Sequence, residues 1–99
     1  MRDLEQPVPY PIFFDRVDAH INLSNSQLTD ITPGKVSASM MYVTARFNAY
    51  VSWIGFGSGA DMADKRDGTV RYFVDQYRKM LEENLDDYIG NFDTYLNDR

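Results

Sequence analysis

This sequence predicts an all-α fold, and three observations carry that prediction. Apolar residues recur at three- and four-residue steps over long segments. Thr32-Pro33-Gly34 sets a sharp boundary inside the first half of the chain. Gly55-Phe56-Gly57-Ser58-Gly59 sets another near the middle. Together they give three main helices, about 12–29, 33–54 and 61–89, with room for a short C-terminal helix after Gly90.

The first eleven residues hold Pro7, Pro9 and Pro11. Alternating prolines disfavour helix and favour an extended arm, which Tyr10 could anchor. We therefore divide the chain into a proline-rich arm, 1–11, and one helical domain, 12–99. Phe14, Val17, Ile21, Leu28 and Ile31 form the stripe of the first helix, with Asp15, Asp18, Asn22 and Asn25 opposite. Ser24, Asn25 and Ser26 are weak helix formers and predict an irregular stretch.

Thr32 is a suitable N-cap and Pro33 suits the first helical position, so the second helix starts at Pro33. One face carries Val36, Met40, Val43, Phe47, Tyr50 and Ile54. A second arc carries Ala38, Met41, Tyr42, Ala45, Ala49 and Trp53. A helix apolar on two sides is expected to be buried on two sides, inside the domain or at a subunit interface. The third helix begins near Ser58 or Asp61, with Asp61 and Asp64 favoured near its N-terminus. Its stripe is Val70, Phe73, Val74, Tyr77, Leu81, Leu85 and Tyr88, and Phe92, Tyr95 and Leu96 extend it past Gly90. An unbroken helix from 61 to 96 would run about 54 Å. It either breaks near Gly90, which could be a C′ stop or merely a tolerated weak point costing about 1 kcal/mol, or needs a second subunit to cover it.

Ninety-nine residues with a net charge of -5 describe one small acidic domain. The charge argues against nucleic acid and against an anionic membrane surface as partners. There is no Cys, which removes disulfides, thiolate metal sites and thiol catalysis. No apolar run is long enough for a membrane span, and no signal peptide is evident, so a cytoplasmic protein is expected.

Several motifs invite chemistry and meet a plainer explanation. Gly55-x-Gly57-x-x-Ala60 has the outline of a dinucleotide-binding turn, since Tyr50 to Ile54 could pass for a strand before it. Too little chain follows for the required βαβ unit, so a linker is the better reading. His20 is the only histidine, without the companions that zinc or di-iron needs. Glu82, Glu83, Asp86 and Asp87 read as a solvated acidic face rather than a cation site. Residues 65–79 carry a net +3, whereas 82–99 carry -5. Opposite signs along one helix would suit antiparallel self-association. Pairing within the helix, Asp75 with Lys79 and Arg78 with Glu82, is the preferred account.

Three longer words stand out: Phe13-Phe14-Asp15-Arg16-Val17-Asp18-Ala19; Lys35-Val36-Ser37-Ala38-Ser39 with Ala45-Arg46-Phe47-Asn48-Ala49; and Tyr77 through Tyr88, YRKMLEENLDDY. They resemble a family of small proteobacterial proteins, a domain of unknown function, over roughly residues 13–95. The resemblance implies a bacterial, cytosolic, stand-alone domain. It carries over no catalytic or binding residue, and the glycine segment lies outside the matched words.

The sequence thus predicts a non-enzymatic interaction or structural module, self-associating as a homodimer, with an unidentified protein as a further partner. Its interface is expected at Tyr42, Ala45, Ala49 and Trp53, with Phe92 and Tyr95 at the C-terminus. No catalytic residue, cofactor or metal is expected. The alternative is a small-ligand carrier or regulator, with Tyr50, Trp53, Phe73 and Tyr77 lining a pocket between helices two and three.

Overall fold

The computed structural model describes residues 10–29 and 32–98, and every regular element among them is helical. In chain order these are α1 (Tyr10–Ser26), a 3-10 turn (Gln27–Thr29), α2 (Pro33–Trp53), α3 (Gly59–Asp64), α4 (Arg66–Gly90) and α5 (Phe92–Leu96). The chain falls into two units, Met1–Phe47 and Asn48–Arg99, and α2 carries the backbone from one to the next.

In the first unit, α1 begins at Tyr10, two residues before the predicted start at 12, so the last two residues of the arm expected over 1–11 are helical instead. Pro11 falls in its first turn, where the missing N–H costs nothing. Residues 1–9 of the expected arm lie outside the described residues. The weak stretch at 24–26 takes effect at the end of the helix. Ser24 Oγ donates to the His20 carbonyl at 2.9 Å and Ser26 Oγ to the Leu23 carbonyl at 2.6 Å. Hydroxyls bonded back onto their own turn compete with the helical ladder, and α1 gives way there to the tighter 3-10 turn. Ser24 Oγ also lies 2.9 Å from Met40 Sδ, a contact between α1 and α2.

Helix α2 starts at Pro33, as the boundary residues dictate. The Thr32 carbonyl accepts from Lys35 N at 3.0 Å and Val36 N at 3.4 Å, closing the first turn. Val36, 5% exposed, is the buried apolar side chain of the described residues. Of the two settings expected for a helix apolar on two sides, burial inside the domain is not found: within one chain, Met41, Tyr42, Val43, Phe47, Tyr50 and Trp53 are all exposed. The stripe of α1 fares similarly. Val17 is half-buried, but Phe14, Ile21 and Leu28 are exposed.

In the second unit, the strand-like residues 50–53 are the last turn of α2, which removes the context a dinucleotide turn requires. Ser58 then caps α3. Its backbone is extended (φ -154°, ψ 157°) and its Oγ accepts from Asp61 N at 3.1 Å.

The single third helix expected over 61–89 is in fact two. The backbone leaves helical geometry at Lys65 (φ -98°, ψ 2°), whose N–H turns to the Met62 carbonyl at 3.1 Å. Helix α4 restarts at Arg66. Two local features weaken a continuous helix here. Asp64 places a negative charge at the C-terminal end of α3, where the dipole disfavours it, and Gly68 has low helix propensity.

The second break falls at Asn91 rather than at a left-handed glycine stop. Gly90 is the last residue of α4, and no described glycine has a positive φ. Asn91 (φ -120°, ψ 28°) turns its side chain back instead. Its Nδ2 donates to the Asp87 carbonyl and to Asp87 Oδ1, both at 3.0 Å. This satisfies the end of α4 and releases the chain into α5, where Tyr95 N bonds the Asn91 carbonyl at 3.0 Å.

Candidate functional site

The expected interface residues sit on two helices. Tyr42, Ala45, Ala49 and Trp53 step by three, four and four residues along α2, so they share one face of it, and all four are exposed. Tyr42 is 71% exposed, among the most open large side chains described. Trp53 leans on Tyr50, with ring centroids 6.1 Å apart and planes tilted by 30°. Two aromatics and two small residues make a face with both projections and recesses, which suits docking against a second helix.

The C-terminal pair divides. Phe92 is exposed on α5. Tyr95 is half-buried and engaged with α4. Its hydroxyl donates to Asp87 Oδ2 at 2.7 Å, and its ring lies 4.4 Å from that of Tyr88. The hydrogen bond to the Asp87 carboxylate raises the Tyr95 pKa above its ordinary value of 10.0, with burial and the nearby carboxylates of Asp87 and Asp98 adding to it. Asp87, Asn91 and Tyr95 thus form a clasp that folds α5 onto α4. The residues stand four apart, i, i+4 and i+8, a spacing visible in the sequence. Asp87, expected in a solvated acidic face, is instead partnered by Asn91 and Tyr95.

The long face of α4 is the larger surface. Val70, Val74, Tyr77, Leu81, Leu85 and Tyr88 lie within an arc of about 80° at 100° per residue. Their exposures run from 42% to 56%. At 1.5 Å per residue α4 is about 37 Å long, so the stripe is a continuous apolar ridge. Neither intrahelical ion pair expected along it forms. The ion pair found among the described residues is Arg66 Nη1 with Asp67 Oδ1, at 3.0 Å on largely exposed side chains.

An open hollow of about 390 Å³ lies in the second unit, lined by Ser52, Lys65, Gly68, Thr69, Tyr72 and Phe73. The rings of Tyr72 and Phe73 meet edge to face at 5.2 Å, and Ser52 Oγ is turned to the Asn48 carbonyl. Of the four residues expected to line a pocket, it takes in Phe73; Tyr50, Trp53 and Tyr77 are not among its walls. His20 is exposed on α1. Among the described residues, no three His, Cys, Asp or Glu side chains converge as a metal site would need, and no helix is long and apolar enough to cross a membrane.

Comparison with known proteins agrees with this helical arrangement. A protein from a Shewanella species, NB7890A, solved by NMR, superposes with a TM-score of 0.73 at 38% sequence identity. The match covers 88% of this chain and 93% of that one. No curated protein matches the chain. A family model matches residues 13–89, which takes in the quoted words at 13–19, 35–49 and 77–88, and the chain belongs to that family, described as protein of unknown function DUF3144.

Proposed function

We propose that this chain is a non-enzymatic helical module that works by self-association, its apolar helix faces docking on those of a second copy. The observation that carries the reading is the distribution of apolar surface. Among the described residues, 25 large hydrophobic side chains are exposed, while Val36 is buried. Where such side chains line up along one helix face, as they do on α4, they make the kind of apolar surface that marks interaction sites on soluble proteins. The α2 face of Tyr42, Ala45, Ala49 and Trp53 and the ridge of α4 are the surfaces it would use. The Shewanella relative supports a bacterial setting.

Sedimentation velocity at micromolar concentration tests the reading directly. The expected species has about twice the 11.5 kDa chain mass. A sharp boundary at the monomer mass at all concentrations would remove it. A small-ligand carrier is the second reading, resting on the hollow beside Phe73. Thermal-shift screening with small aromatic anions, which Lys65 and the two rings would favour, tests that alternative.

A further inference from the structure

The ridge of α4 is self-complementary, and this deepens the self-association reading on which it rests. From 65 to 79 the helix region is net +3; from 82 to 87 it holds four acids and no base. The intrahelical partners Asp75–Lys79 and Arg78–Glu82 do not pair, so these charges stay available to another chain. Arg71, Arg78 and Glu82 border the same edge of the apolar arc, at 100° per residue.

We infer that two copies join through α4 in antiparallel register, about a twofold axis passing near Lys79. In that register Tyr77 lies against the partner's Leu81, Val74 against the partner's Leu85 and Val70 against the partner's Tyr88. Every member of the ridge then meets an apolar residue. Along the edge, Arg78 comes beside the partner's Glu82, and Arg71 comes near the partner's Asp86. The basic half of each helix lies along the acidic half of the other. A parallel pairing would set base against base and acid against acid, a like-charge arrangement that disfavours association. The twofold makes each contact occur twice, as isologous interfaces require.

The absence of Cys makes the register directly measurable. Val70→Cys and Tyr88→Cys are made as separate variants at exposed positions, then mixed and treated with a short bismaleimide linker. The antiparallel seam gives about ten-fold more linked dimer in the mixture than in either variant alone, because only the mixed pair brings two thiols close. Sedimentation of the same unlinked samples reports association independently. A dimer in which Val70→Cys links to itself overturns the antiparallel register but leaves self-association standing. A dimer with no linkage in any sample overturns the α4 seam alone. A monomer overturns both.

Discussion

Leu81→Ala separates association from folding. Leu81 sits at the centre of the α4 ridge and is 42% exposed in one chain. Alanine is the stronger helix former, so the isolated chain keeps its helix content. The cost falls on the dimer, where the exposed remainder of the side chain is covered. Three carbons are removed, each worth about 0.8 kcal/mol when fully buried. Scaled by the exposed fraction of 42%, this is about 1 kcal/mol per copy and about 2 kcal/mol per dimer. The dissociation constant therefore rises about thirty-fold. Sedimentation equilibrium over a concentration series measures it, with far-UV circular dichroism on the same samples. An unchanged dissociation constant refutes the placement of Leu81 in the seam. Loss of helix signal under monomeric conditions refutes the premise that Leu81 contributes little to the single chain.

Three further outcomes follow from local geometry. Ser58→Ala removes the acceptor for Asp61 N and costs about 1 kcal/mol of cap energy. Thermal melting should fall by about 4–8 °C, and Ser58→Asp should restore most of it. Gly90→Ala should stabilise α4 by about 1 kcal/mol, because Gly90 is helical and an added Cβ meets nothing within 4 Å; a lower melting temperature would count against a helical Gly90. For Tyr95, a raised pKa means that the neutral hydroxyl is the form the clasp favours. Its contribution is complete below the ordinary tyrosine pKa and is lost as pH rises through the higher folded value. Ultraviolet titration should show a tyrosine step displaced above the ordinary value, and Tyr95→Phe should remove it.

Local chemistry announced most of the secondary structure. Thr32-Pro33 and Ser58 start their helices because a carbonyl or hydroxyl there takes up otherwise orphaned N–H groups. The break at Lys65 was hidden because residues 64–69, DKRDGT, carry no apolar side chain, so periodicity says nothing about the backbone there. The break expected near Gly90 falls one residue on. Asn91 makes it, through a side chain that reaches Asp87, and a residue scale does not show which carbonyl a side chain will find. At the candidate surface, the α2 face was legible because four exposed residues share one helix. The clasp of Tyr95 was not legible, since its partner Asp87 looked like one acid among four.

The sequence by itself determined the all-α class, the positions of the main helices and the family, because each depends on short-range patterns or on words of contiguous residues. Only the tertiary structure decided where the apolar stripes end up. Periodicity states that a helix has an apolar face, but not whether the same chain has a second surface to cover it. Here the α4 ridge and the α2 face of Tyr42 and Trp53 are exposed within one chain, while Val36 is buried. Burial depends on what stands opposite a side chain in space, and that is a property of the folded chain rather than of its local pattern.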